Sequence, residues 1–230
     1  MVDKLTDWYT KIDKKYDQKI TNDKNFNNHL IPPCSMVSVI GPTGSGKTSF
    51  LVEFLSRKPD SFYEIIIFNP VNTDEPLYTY LEDKIKGIQL INDVEDLPTL
   101  DDYKDCDKSQ EKLIVFDDIC NLPKKELKEI QKFYCSARKF GFTCINLSQN
   151  YTDIPTQIRR NTQIFVIFRL NDLNTINHIL KTSNTSEVSG NAVKQMYHHA
   201  TKTPKNFLKI DLVNRQHPFT HNFKNILKSS

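Results

Sequence analysis

The run Gly41-Pro42-Thr43-Gly44-Ser45-Gly46-Lys47-Thr48 has the residue types and the spacing to grip phosphates. It satisfies G-x-x-x-x-G-K-[ST], in which each fixed position has a physical task. Gly41, Gly44 and Gly46 let the backbone turn tightly and bring its N–H groups against a triphosphate, towards which the positive end of a following helix also points. Lys47 supplies a point charge for the β- and γ-phosphates, and Thr48 offers its hydroxyl to Mg²⁺. Pro42, Thr43, Ser45 and Ser49 complete the cradle. The apolar run Met36–Ile40 before the loop reads as a strand, and Ser49–Leu55 after it reads as the first turns of a helix.

A second set of residues supplies what a phosphate loop needs for hydrolysis. The apolar run Leu113–Asp118 (LIVFDD) ends in two acids. Asp117 is placed to hold Mg²⁺ through water alongside Thr48. Asp118 is placed to orient the attacking water or take its proton. The run Phe142–Gln149 reads as the strand next to the one with the paired acids and ends in an amide, which can sense a γ-phosphate or hold the lytic water through its donor and acceptor together. Arg138, near the end of the helical stretch Lys124–Lys139, reads by itself as a cation favoured by the helix dipole. Neither N-K-x-D for guanine recognition nor an LSGGQ-like signature is present, since Leu147–Tyr151 (LSQNY) lacks the glycines.

The elements that must position these groups follow from pattern. Glu64–Asn69, Gly87–Asn92, Leu113–Asp118, Phe142–Gln149 and Gln163–Leu170 are short, β-branched and aromatic, and apolar on both faces, as in a buried and mainly parallel sheet. Phe207–Val213 reads as a last strand. Helical spacing lies between several of them: Leu127, Ile130, Phe133 and Tyr134 recur along a helix opened by Pro123, and further helices fall near Asp172–Lys181 and Glu187–His199. Strand and helix in repetition predict an α/β fold of three layers. Asp93–Lys112, acidic and poor in apolar residues, reads as a surface loop with room for one helical turn.

Residues 1–31 form a charged N-terminal extension with Trp8, Tyr9, Ile12 and Tyr16 on one side of a short helix, a stripe for packing on the domain or for docking on a neighbouring subunit. Residues 32–213 are the nucleotide-binding domain. Residues 214–230 are a basic tail with interleaved aromatics, suited to DNA or a partner, to a solvated terminus or to a covering strap.

At 230 residues the chain has room for one such domain with small appendages. A formal charge of +3 does not announce a nucleic-acid binder. Five cysteines without a C-x-x-C pair indicate neither a zinc site nor a disulfide framework, and a reducing compartment is expected. No apolar run approaches the roughly 18 residues that span a bilayer, and the N-terminus lacks a secretory core, so neither membrane insertion nor secretion is expected.

The ordered set GPTGSGKT, LIVFDD, SARKFGFTCINLSQ and IPTQIRRN, spanning about Cys34 to Leu170, resembles the FtsK/HerA superfamily of DNA-pumping ATPases, and among them the poxvirus-type genome-packaging ATPases. The resemblance implies a RecA/FtsK-like P-loop fold, ATP and Mg²⁺ as cofactors, and Asp117 and Asp118 at the Walker B position. It makes Gln149 the polar sensor and Arg138 a finger reaching a neighbour's nucleotide, and puts Arg159 or Arg160 at the subunit contact. It also implies a homo-oligomer, a pentamer or hexamer, around non-specific double-stranded DNA. Capsid or portal-vertex proteins would be further partners, and the host cytoplasm, a viral factory or the virion the location. Asp118 departs from the superfamily's commoner Glu. A nucleotide kinase and an ATP-dependent assembly switch that hardly turns over remain as alternatives.

Overall fold

Six parallel strands build the centre of the protein: β1 Met36–Ile40, β2 Glu64–Phe68, β3 Ile88–Ile91, β4 Lys112–Asp117, β5 Phe142–Ser148 and β6 Ile164–Ile167. Three antiparallel strands extend it: β7 Leu208–Asp211, β8 Phe219–His221 and β9 Asn225–Ile226. They form one sheet in the order β3-β2-β4-β5-β1-β6-β7-β8-β9. This is a computed structural model that describes residues 11, 23–71, 75–182, 188–214 and 216–228. The aromatic stripe Trp8, Tyr9, Ile12 and Tyr16 lies outside the described residues.

The runs that are apolar on both faces do become buried strands where each face is covered, but Gly87–Asn92 forms β3 at the sheet edge, only partly buried and with Gln89 exposed. On one face α2 (Lys47–Arg57) and α3 (Pro76–Lys84) place Phe50, Leu51, Phe54 and Leu81 against Val37, Val39, Val115 and Ile145. On the other, α4 (Lys124–Ser136), α5 (Thr156–Asn161), α6 (Leu173–Thr182) and α7 (Gly190–Ala200) cover Ile40, Phe116, Phe165 and Ile167. The three layers expected from the sequence are present. A short helix, α1 (Phe26–His29), packs beside α2.

One expectation about helix length is corrected, and two segments gain detail. The helix expected over Lys124–Lys139 stops at Ser136. Its last turn tightens into a 3-10 turn, Ala137–Phe140, closed by Gly141 in the left-handed region at φ 84°. A Cβ on Gly141 would stand 2.9 Å from two backbone oxygens, so only glycine permits this turn into β5. The acidic stretch Asp93–Lys112, expected as a loop with one helical turn, carries two 3-10 turns, at Val94–Asp96 and Leu100–Tyr103, and Tyr103 is buried against Phe142. After Asn214, where a covering strap is one of the readings the sequence leaves open, β8 pairs with β7 and Phe219 and Phe223 enter the core.

At the sheet edge away from the strands' C-terminal ends lies a buried cluster of charge. Lys58 Nζ donates to Glu111 Oε2 at 2.6 Å and lies 2.8 Å from Asp23 Oδ2. Thr143 Oγ1 donates to Glu111 Oε1 at 2.6 Å. Lys209 Nζ donates to the carbonyls of His29 and Leu30. His29 is fully buried: its Nδ1 accepts from the Ile31 N–H at 3.1 Å, and its Nε2 lies 3.2 Å from Asp23 Oδ2. The neutral ring therefore carries its proton on Nε2.

Burial, chiefly, pushes the His29 pKa down to about 4; Asp23 opposes this, while Lys58 and Lys209 add to it. The unfolded chain then binds the proton more readily than the folded one between about pH 6.5 and 4. The stability that neutral His29 contributes is complete above that window and is lost as pH falls through it, on the order of 3 kcal/mol in all. Thermal melts of the wild type should lose stability across the window, and His29→Gln should flatten that pH dependence.

Candidate active site

Strand β5 lies between the strand that leads into the phosphate loop and the strand that carries the paired acids. It ties both to itself at the C-terminal edge of the sheet. The Gly41 N–H donates to Ser148 O at 3.1 Å, and the Asp118 N–H donates to Leu147 O at 3.2 Å. The crevice beyond the carboxyl ends of parallel strands, where the chain direction switches, is the usual ligand position of an open α/β sheet.

The loop is shaped by its glycines and its neighbours. Gly46, at the N-cap of α2, has φ 113° and Gly44 has φ 77°, both in the region that favours glycine. Gly41 is hemmed in: a Cβ there would stand 2.4 Å from Ser45 Oγ and 2.8 Å from Phe168 Cβ. Thr48 and Ser49 fall in the first turn of α2, where unpaired N–H groups face an anion. Lys47 Nζ reaches back to donate to Gly41 O at 2.8 Å and Pro42 O at 3.3 Å. Burial lowers its pKa, opposed by the charges of Asp118 and Asp117. Those two carboxylates are thus close enough for their field to reach the loop lysine.

Asp117 ends β4 and accepts a hydrogen bond from Tyr78 Oη at 2.6 Å. Burial pushes its carboxyl up to about 6; the Tyr78 bond and Lys47 pull it down, and Asp118 pushes it further up. Asp118 follows in the left-handed conformation, φ 48° and ψ 46°. Its Oδ2 accepts from Gln149 Nε2 at 3.0 Å. Its Oδ1 is buried without a hydrogen-bond partner among the described residues, as is Ser45 Oγ. Buried polar atoms are nearly always satisfied. Two orphans, one in the loop and one beside it, fit a polar ligand between the loop and the acids. Oxygen donors at Thr48 and Asp117 suit a hard divalent cation.

The structure thus gathers Lys47, Asp117, Asp118, Gln149 and the loop Gly41–Ser49 at one edge. It does not bring Arg138 there. Arg138 is exposed in the 3-10 turn that precedes β5, so it stands at the opposite edge, roughly 20 Å from its own loop by the rise of a strand. Arg159 is half-buried, its guanidinium 5.0 Å over the Tyr151 ring and bonded to Thr156 Oγ1. Arg160 is exposed.

Tyr78 is a site residue that the sequence does not reveal. It precedes Asp117 by 39 positions, on a different element, and no motif links them. Tyr78→Phe removes the bond that fixes the Asp117 carboxylate while keeping the ring that fills the core. The expected result is an unchanged Tm within a degree or so and a Mg²⁺ requirement for nucleotide binding shifted several-fold upward, on the scale of one hydrogen bond to a charged group. Titration of nucleotide binding against Mg²⁺ measures it.

A phosphate loop and paired acids, hydrogen-bonded to one intervening strand of a mostly parallel sheet, define a P-loop ATPase. The model of the poxvirus A32 protein family matches residues 23–210, and the chain belongs to that family. No curated protein sequence matches the chain significantly. Among solved structures, it is similar to B204, the DNA-packaging ATPase from Sulfolobus turreted icosahedral virus, with 17% identity and a TM-score of 0.58 over 86% of this chain and 100% of that one. B204 of Sulfolobus turreted icosahedral virus 2, solved in complex with AMPPCP, is 16% identical with a TM-score of 0.54, over 84% and 99% of the two chains. The cytoplasmic domain of the type VII secretion ATPase EccC of Thermomonospora curvata is 11% identical with a TM-score of 0.56, over 86% of this chain and 26% of that one. At such identities the likeness is one of fold. Among the described residues no helix is long and apolar enough to cross a membrane.

Proposed function

We propose that this protein is an ATP-driven motor that moves double-stranded DNA into a viral capsid, hydrolysing Mg-ATP at the interfaces of an oligomeric ring. The observation that carries this reading is the arrangement of Lys47, Asp118 and Gln149 at one sheet edge while Arg138 stands at the other. Membership of the A32 family and the likeness in fold to packaging ATPases support it.

The amides of Gly41–Ser49 would cradle the phosphates and Lys47 would swing from the Gly41 and Pro42 carbonyls onto the β- and γ-phosphates. Thr48 and Asp117 would hold Mg²⁺, which when bound neutralises charge developing on the β- and γ-oxygens. Asp118, steered by Gln149, accepts a proton from the attacking water or aligns it. Arg138 is too far from its own loop to act there, so its charge would serve the nucleotide of an adjacent subunit in a pentamer or hexamer. DNA would be held by its phosphates, independent of sequence and sensitive to salt. Capsid or portal-vertex proteins are the partners expected, in the host cytoplasm or a viral factory.

Steady-state ATP hydrolysis with and without linear duplex DNA tests the reading, with Lys47→Ala as the control. Stimulation by duplexes of unrelated sequence, fading as salt rises, is the expected result. Hydrolysis indifferent to DNA would sink the packaging assignment and leave the kinase and the assembly switch.

A further inference from the structure

We propose that Lys205 is a nucleotide-contacting residue, whose ammonium holds the α/β-phosphate part of ATP and ADP on the side of the loop away from Asp117 and Asp118. The inference rests on the ATPase reading above and assigns that site a second lysine.

Topology puts Lys205 at the right edge. Strand β7 runs antiparallel to β6, with Leu208 opposite Ile167, so the residues just before β7 lie beside the residues just after β6 and β1. The contact itself is close. A Cβ placed on Gly46 would stand 3.5 Å from Lys205 Cβ and 3.5 Å from its Cγ, so the stem of the lysine lies on the loop glycine that caps α2. The N–H groups of that turn are the ones a phosphate loop aims at phosphate oxygens. A lysine reaches several ångströms beyond its Cγ, enough to meet the same oxygens from the flank.

The backbone holds the side chain there against local preference. Lys205 has φ 64°, a conformation that glycine, and to a lesser degree Asn and Asp, adopts far more readily. Its turn is pinned from behind. The Phe207 ring packs on Phe50, Phe168 and Phe223 at 5.3–5.4 Å, and its N–H donates to Asn222 Oδ1 at 3.0 Å. Left-handed strain at a non-glycine residue, over-determined by its surroundings, is a recurrent mark of functional positions. The side chain is exposed and, among the described residues, its ammonium has no acceptor. An anion arriving on the loop would supply one.

Because the α- and β-phosphates stay in place through hydrolysis, this contact acts equally on ground and transition states, which changes KM and leaves kcat alone. Equilibrium binding of AMPPNP and of ADP should be measured for wild type, Lys205→Met, Lys205→Arg, Lys205→Gly and Lys47→Ala, with KM, kcat and Tm alongside. Lys205→Met is expected to weaken both nucleotides about tenfold and to raise KM equally at constant kcat, while Lys205→Arg stays near wild type. Lys205→Gly should weaken binding as much as Lys205→Met yet raise Tm, since glycine suits the backbone; a merely structural role would move binding and Tm together. Wild-type affinity in Lys205→Met, beside lost affinity in Lys47→Ala, overturns the inference and leaves the ATPase reading intact. Wild type that binds no nucleotide overturns the ATPase reading, and the role of Lys205 with it.

Discussion

Asp118→Asn is expected to lower kcat for ATP hydrolysis by about 10²–10⁴ while nucleotide affinity stays close to wild type, the range typical of a lost general base or water-orienting group. The substitution is a clean one for structural reasons. Asn tolerates the left-handed backbone at φ 48° at least as well as Asp, and its carbonyl can still accept from Gln149 Nε2. What disappears is the capacity to take a proton, at a carboxylate whose Oδ1 is buried without a hydrogen-bond partner among the described residues. Turnover measured with binding of a fluorescent nucleotide separates the two effects. A kcat near wild type would remove Asp118 from the chemistry and shift the role to Gln149.

The second large effect is expected at Arg138. Arg138→Ala should lower kcat by about 10³–10⁵, as for an arginine finger, without weakening ADP binding. An exposed arginine on a surface turn would ordinarily be dispensable. Its own phosphate loop lies roughly 20 Å away across the sheet, so a large loss means that the arginine serves another copy. Mixing Arg138→Ala with Lys47→Ala decides the point. Each variant supplies what the other lacks, and partial recovery of hydrolysis in mixed rings is expected. Loss without recovery would locate the effect within one subunit, and full activity in Arg138→Ala would turn attention to the exposed Arg160.

How much of this was legible in the residues depends on range. Gly41–Thr48 and Asp117–Asp118 could be read because local spacing encodes them, and five of the six parallel strands because burial on both faces leaves unbroken β-branched runs such as Glu64–Phe68, β3 being a partly buried edge strand. Order along the sheet was legible only in part. The strand ending in Gln149 is expected beside the one ending in the paired acids, and it lies there, whereas the pairing of β5 with β1 on its other side spans more than 100 positions and no motif encodes it. Tyr78 and Lys205 were hidden for the same reason, as each meets the site only through tertiary packing. The strands β8 and β9 are three and two residues long, too short for any alternation to show. The use of Asp at 118, a departure from the commoner Glu, acquires a physical reason: a short acidic side chain enters the left-handed region more readily than a long one.

The buried cluster around Lys58 also sets where the chain can be cut. A minimal ATPase designed from motifs would begin near Cys34, just ahead of β1, and discard everything before it. Lys58 would then lose Asp23 and keep only Glu111, and Lys209 would lose the His29 and Leu30 carbonyls to which its buried ammonium donates. Removing one partner of a buried pair costs about 3–5 kcal/mol, comparable to much of a domain's total stability. The shortest soluble form of this enzyme should therefore start at or before Asp23.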